Sequence, residues 1–314
     1  MTISDFEPAK STEAINCPVC NSNRYTILFE AGDYEYELPG TFYIAQCDSC
    51  GLLYQNPRPP FNEICRYYTE KYEPYRKVGS LLMQKLRYRF LVQPRIKKYK
   101  KLFQAKSDQI KVLDVGCADG GLLYELSLDK KFDCYGIEPI KYIADIAINK
   151  GLKVSCSTLE NYECDNEYFD LIIMNHVIEH LPNPEEVMKK IFKLLKKDGY
   201  FCGETPCSDA LEKFIFLKYW AIYHLPRHLT FFSTKLMIKF LQKFGFKEIN
   251  IYLQPMPSCW QASIRNYLLS KKYEKKIVKI FSGHSVLLNL ASYPFIYILS
   301  KLGYASIMHF VAQK

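Results

Sequence analysis

VLDVGCADGG, residues 112–121, runs an apolar strand into a turn that holds Gly116, Gly120 and Gly121, with a carboxylate on either side. A dinucleotide loop requires G-x-G-x-x-G, whose middle glycine lets the backbone approach a pyrophosphate at a helix N-terminus. Here Ala118 stands where that glycine would be, and Asp114 and Asp119 place negative charge where a pyrophosphate would be repelled. The expected ligand is neutral, or carries a cationic group near Asp114. Glu138 ends the next apolar run, DCYGIEP (133–139), where a carboxylate can accept two hydrogen bonds from ribose hydroxyls. A nucleoside with an amino-acid-like tail satisfies both conditions.

Outward from this loop, strands and helices alternate. KVLDVGC, DCYGIEP, LKVSCS (152–157), FDLIIMNHV (169–177) and GYFCGETP (199–206) read as five strands of a parallel, doubly wound α/β sheet. Between the fourth and fifth a helix is expected: Asn183 as cap, Pro184 in its first turn, Glu185 and Glu186 at its positive end, Lys196 and Lys197 at its negative end, Gly199 as stop. Val187, Ile191, Leu194 and Leu195 give that helix one core-facing stripe. A helix from Ser233 to Gly245 follows, then FKEINIYL as strand six and SIMHFVAQK as strand seven. An aromatic, largely helical insertion occupies 254–303.

Before the sheet come Cys17-Pro-Val-Cys20 and Cys47-Asp-Ser-Cys50. Each C-x-x-C turn presents two thiolates to one side of a tetrahedral ion, so Cys17, Cys20, Cys47 and Cys50 form a zinc ribbon with no open position, which makes the Zn2+ structural. After the proline-rich connector GLLYQNPRPP, residues 75–107 hold eleven Lys and Arg and no acidic residue. Leu81, Leu82, Leu86, Phe90 and Leu91 recur at helical spacing until Pro94, so an amphipathic helix with a basic outer face is expected there. The organisation is a zinc-ribbon domain at 1–74, a basic linking helix at 75–107, a core at 108–253, and a helical lid with the final strand at 254–314.

A formal charge of +9 permits an acidic partner and equally permits ordinary solubility. MTISDFEPAKSTEAIN offers no apolar signal segment, so a cytoplasmic, reducing location is the expectation, and the twelve cysteines read as metal ligands and small buried residues. VLLNLASYPFIYILS (286–300) carries Asn289 and Pro294 and falls short of the ~20 residues that span a bilayer.

The glycine loop, Glu138 and YFDLIIMNHVIEHLPNP resemble the class I S-adenosylmethionine-dependent methyltransferases, specifically the ubiquinone-methylase-like group, over residues 108–250. The pattern C-x-x-C…C-x-x-C-G-L-x-Y-x-N-P-R-P also resembles members with an N-terminal zinc ribbon, often associated with methylation of sugars, polysaccharides or small metabolites. The resemblance implies a Rossmann-like, seven-stranded methyltransferase sheet with S-adenosylmethionine as cofactor. By the family pattern Asp114, Gly116, Cys117 and Gly120 wrap the methionine and ribose portions, and Glu138 holds the ribose diol. Ser157, Thr158 and Leu159 border adenine, while Asn175 and His176 border the sulfonium. Ala118 in the loop, and Ser157 where an acidic residue is common, depart from the pattern.

Methyl transfer from a sulfonium is a direct displacement, and a hydroxyl acceptor must also lose a proton. His180, in E-H-L-P-N-P after the fourth strand, is the first candidate for general base and His228 the second, with Arg227 beside it to hold an anionic substrate group. The alternative for His180 is a purely structural role in its loop. The insertion reads as a lid over the acceptor, with a dimer surface or an interfacial membrane patch as alternatives. The leading function is O-methylation of a small molecule such as a sugar, a phosphorylated metabolite or a cell-surface polysaccharide precursor. An RNA methyltransferase that docks phosphates on ribbon and basic helix is the first alternative, which the acidic stretch Asp33-Tyr-Glu-Tyr-Glu37 disfavours; a scaffold retaining a relic site is the second. The oligomeric state is open.

Overall fold

The computed structural model describes residues 6–69, 89, 92–281, 283 and 285–314. Its strands are β1 (Tyr25–Ala31), β2 (Phe42–Cys47), β3 (Leu53–Gln55), β4 (Ile110–Val115), β5 (Phe132–Ile137), β6 (Lys153–Ser155), β7 (Phe169–Asn175), β8 (Leu195–Pro206), β9 (Thr230–Phe231), β10 (Lys247–Gln254) and β11 (Ile307–Gln313). The helices are α1 (Phe61–Ile64), α2 (Gln93–Leu102), α3 (Gly121–Ser127), α4 (Lys141–Asn149), α5 (Pro184–Leu194), α6 (Leu211–Phe216), α7 (Thr234–Lys243), α8 (Pro257–Ser270), α9 (Lys275–Ile280) and α10 (Val286–Lys301).

Seven strands form the main sheet in the order β10-β11-β8-β7-β4-β5-β6. From β8 to β6 every pairing is parallel; β11 runs antiparallel to both of its neighbours. β4 and β7 are almost wholly buried, as parallel strands covered by helices on both faces must be. All five strands expected between 111 and 206 form, as do the sixth and seventh. Of the expected α5 stripe, Val187, Ile191 and Leu194 are buried on the helix, joined by Met188, while Leu195 is buried in the strand that follows. Its ends differ from expectation. The Asn183 side chain makes no capping hydrogen bond, and the helix gives way to β8 at Leu195, so Lys196 lies in the strand and donates to Asp170 at 2.9 Å instead of closing a helix. α7 is capped as a serine predicts, Ser233 Oγ accepting from Leu236 N at 3.2 Å.

Leu81, Leu82, Leu86, Phe90 and Leu91 of the expected basic helix lie outside the described residues. α2 begins beyond them and carries Pro94 in its first turn, where no intrahelical donor is needed, and it buries Ile96 and Tyr99 against the sheet.

The cysteine-bearing segment builds a second sheet, β1-β2-β3-β9, whose last strand comes from the core: Leu53 pairs with Phe231 and Tyr54 with Thr230. Cys17, Cys47, Leu52 and Tyr54 share one buried cluster with Leu113, Ile172 and Phe240 of the main sheet and its helices. Segment 1–74 therefore shares both a sheet and a core with segment 108–253. The link is reinforced by charge. Arg227, expected to face a substrate anion, is fully buried and donates through both terminal nitrogens to Asp33 of the ribbon, each at 2.9 Å, with its guanidinium 4.6 Å from the centre of the Tyr36 ring. A side chain so enclosed cements the fold and does not receive ligand.

Removing one partner of a buried pair strands the other charge, which typically costs about 3–5 kcal/mol. Asp33→Ala should therefore destabilise the protein by about that much in urea unfolding, while Asp33→Leu combined with Arg227→Met should lose far less than the sum of the two single losses. Additive losses would contradict the coupling.

Candidate active site

The crest of the main sheet, at the carboxyl ends of its parallel strands, gathers the titratable groups. In Asp114 the carboxyl is buried at the end of β4; burial, and after it the Glu138 carboxylate, push its pKa up to about 7, against the pull of Arg95. Glu138 follows β5 and is locked by the backbone, its two oxygens accepting from Ala118 N at 3.1 Å and Ile140 N at 3.0 Å. Each oxygen keeps lone-pair capacity for a further donor. Asn175, at the end of β7, has a buried Oδ1 with no hydrogen-bond partner among the described residues. An orphaned buried acceptor at a crest marks a place where a ligand donor fits.

The loop glycines work through conformation and packing. Gly116 and Gly120 both sit at φ +74°, and a Cβ on either would come within 2.4 Å of a side-chain carbon, of Val177 and Leu152 respectively. Ala118, the departure from the family pattern, is itself left-handed at φ 48°, which costs a residue with a Cβ about 1 kcal/mol. Cys117 and Leu159 are packed into the core at 5% and 3% exposure. Ser157 Oγ turns back to the Thr158 carbonyl at 3.0 Å, and Thr158 is exposed.

Beside Asn175 lies a charged cluster that the sequence did not announce as such. His176 Nδ1 is 3.3 Å from Glu179 and its Nε2 3.5 Å from Glu204, while His309 Nδ1 approaches Glu204 at 2.9 Å and Arg95 pairs with the same carboxylate. For His176, whose side chain keeps 45% exposure, partial loss of water lowers the pKa, but the hydrogen bonds to Glu179 and Glu204 outweigh it and raise it to about 9. Burial opposes ionisation of Glu204, yet His176, His309 and Arg95 hold its carboxyl well below the usual range. Of these groups, Glu179 stood inside the E-H-L-P-N-P motif and Glu204 stood as a lone acid in an apolar strand. Arg95 had no signal beyond its basic neighbourhood.

His180 and His228 are brought together, ring centroids 4.6 Å apart and edge to face. His180 Nδ1 lies 2.9 Å from the Arg227 carbonyl and His228 Nδ1 lies 2.8 Å from that of Ile222. A carbonyl can only accept, so both Nδ1 atoms carry the proton and both Nε2 atoms present lone pairs. The Tyr68 hydroxyl adds a second contact to His180 Nδ1 at 2.8 Å. Burial depresses the His180 pKa to about 4, and His228 well below the ordinary value, so both rings are neutral at physiological pH. One donor atom from each of Glu179, His180 and His228 lies within 4.8 Å of the others.

The four ribbon cysteines also converge, with Cys17 Sγ 3.6 Å from Cys50 Sγ and Cys20 Sγ 3.5 Å from Cys47 Sγ. Tetrahedral thiolates at a zinc–sulfur distance near ~2.3 Å stand about 3.8 Å apart, so the cluster has the dimensions of a four-thiolate zinc site.

A family model described as a methyltransferase domain matches residues 83–251. The ubiquinone biosynthesis O-methyltransferase of Haemophilus ducreyi is 35% identical over 168 residues, covering 49% of this chain and 64% of that protein. The protein of the same name from Coxiella burnetii is 31% identical over 94 residues, 28% of this chain and 40% of its own length. The chain thus spans less than two thirds of each of these curated relatives. Among solved structures, a putative sarcosine dimethylglycine methyltransferase from Galdieria sulphuraria superposes with a TM-score of 0.52 at 13% identity, covering 77% of this chain and 90% of the other, a likeness of fold.

The raised pKa of His176 has a pH consequence. A histidine whose folded pKa lies near 9, against ~6.5 unfolded, contributes stability that is complete below ~6.5 and lost as pH rises through 9. In urea unfolding from about pH 6 to about pH 10, His176→Gln should show a shallower alkaline decline than the parent protein; identical slopes would contradict the imidazolium.

Proposed function

Because this chain belongs to the methyltransferase domain family, we propose that it transfers the methyl group of S-adenosylmethionine to an oxygen of a small-molecule acceptor. The observation that carries this reading is the crest itself, where Asp114, the backbone-locked Glu138 and the unpartnered Asn175 Oδ1 surround a site fit for a cationic nucleoside. When bound, S-adenosylmethionine supplies a methyl group already activated on sulfur. Asp114 would pair with its ammonium group, Glu138 would accept from the ribose hydroxyls, Thr158 would border the adenine, and Asn175 and His176 would stand nearest the sulfonium. Zinc would be held by Cys17, Cys20, Cys47 and Cys50 as a structural ion.

On the acceptor side, His180 takes the hydroxyl proton on Nε2. Its depressed pKa keeps the lone pair free, and the Glu179 carboxylate beside it stabilises the imidazolium once formed. His228, its ring centroid 4.6 Å from that of His180, would be a second neutral acceptor. The curated relatives are named as O-methyltransferases, which agrees with a hydroxyl acceptor. A polyol such as a sugar of a cell-surface precursor suits the hydrogen-bonding groups that His180 and the Tyr68 hydroxyl bring together beside the crest. An RNA acceptor is disfavoured, because Arg95, Lys100 and Lys106 of the basic segment are engaged by Glu204, Asp129 and Asp170. All twelve cysteines are free, in keeping with a reducing, cytoplasmic location.

Pairing of an ammonium group with Asp114 requires its ionised form, and the free carboxyl titrates near 7. S-Adenosylmethionine affinity by calorimetry should be flat above about pH 7 and weaken by up to about tenfold per unit below it, with proton release; Asp114→Asn should bind weakly at every pH. With binding secured, His180→Asn should lower turnover by about 10²–10⁴ while leaving cofactor affinity within about twofold. Equal loss of both would assign His180 to structure.

A further inference from the structure

α10 is apolar almost throughout, yet it buries only Ile296, Leu299 and Ser300. A helix that is apolar on all sides is ordinarily enclosed. Here Leu287 is 80% and Leu290 66% exposed, and Phe214 and Ile215 on α6 are 61% and 53% exposed. The two helices are joined by edge-to-face rings across α8, Phe216 to Trp260 at 5.8 Å and Trp260 to Phe295 at 5.7 Å, so the exposed side chains form one apolar face.

The charge around that face is predominantly positive. Between residues 254 and 303 Glu274 is the single acidic residue, against Arg265, Lys271, Lys272, Lys275, Lys276, Lys279 and Lys301. Lys213 lies 4.2 Å over the Phe214 ring and Lys301 5.2 Å over that of Tyr297, so basic head groups stand directly at the apolar surface. No helix among the described residues is long and apolar enough to cross a membrane.

We propose that the face built by α6, α8 and α10 docks peripherally on a lipid bilayer that carries anionic headgroups. Exposed Leu, Phe and Tyr side chains enter the headgroup boundary while the lysines of α9 and the ends of α8 and α10 meet lipid phosphates. A second copy of the chain is the poorer occupant, because a symmetric pairing through this face would bring the same lysines together. The face lies beyond α8, which packs through Cys259 against Trp220 and Tyr223, just ahead of the loop that carries His224 and His228. A docked enzyme would therefore hold its acceptor side close to the bilayer. The inference stands apart from the reaction assigned above.

The full chain is mixed with vesicles of phosphatidylcholine containing about one quarter phosphatidylglycerol, or of phosphatidylcholine alone, and sedimented. Binding is expected to the anionic vesicles, to weaken as salt rises, and to fall by at least about fivefold when Lys275→Gln, Lys276→Gln and Lys279→Gln are combined in one chain. Leu287→Ser with Leu290→Ser should weaken vesicle binding by about tenfold, and unchanged calorimetry with S-adenosylmethionine would show that the variants fold. Equal binding to neutral vesicles, no binding to either, or a dimer in light scattering that Leu287→Glu dissolves would overturn the proposal.

Discussion

The buried pair of Arg227 with Asp33 is the constraint on which the candidate site rests. Arg227 lies in the loop that carries His224 and His228, and Asp33 lies beyond β1 of the cysteine ribbon. Around the pair the same two segments are stitched repeatedly: Gln55 Nε2 donates to the carbonyls of Pro226 at 2.8 Å and His228 at 2.6 Å, and Gln55 N to that of Leu229 at 2.9 Å. Leu229 N in turn donates to the Glu179 carbonyl at 2.6 Å. The histidine loop is thus held between ribbon and sheet, and the Arg227 carbonyl that fixes the His180 tautomer is held with it. A charge pair sealed from water exchanges reluctantly, because either partner alone would be stranded. The ribbon consequently helps to hold His180 and His228 in place.

This arrangement divides the crest into two electrostatic halves. Toward β4 and β5, Asp114 and Glu138 repel one another and leave the pocket in want of a cation. Toward β7, β8 and β11, Glu179 and Glu204 are already paired with His176 and Arg95, and His309 Nδ1 stands 2.9 Å from Glu204. An incoming positive group is drawn to the first half and has no partner to gain in the second. Next to this second half, His180 and His228 stay uncharged, which suits them to receive a proton.

The sheet was legible in the sequence because local periodicity and turn chemistry agree. Strand β4, its glycine turn, Glu138 and the apolar run of β7 each carry their own signal, and so do the paired C-x-x-C turns. What escaped notice is long-range. Nothing near Arg227 discloses Asp33, 194 residues away, so a loop arginine beside a histidine looked like a ligand-binding group. Pro94 opens α2, since proline serves a first turn as readily as it ends a helix. Cys117 and Leu159 sat at family positions, and both are buried in the core. The charged cluster of His176, Glu179 and Glu204 needed the register of β7 against β8, which sets Asn175 opposite Glu204 and cannot be read from either strand alone.

Hydrogen exchange followed peptide by peptide, in the parent protein and in Asp33→Ala, tests whether ribbon and histidine loop are one unit. Loss of the buried pair should accelerate exchange in residues 224–231 together with 42–55, while β4 and β7 keep their protection. A ribbon that opens while 224–231 stays protected would contradict the coupling.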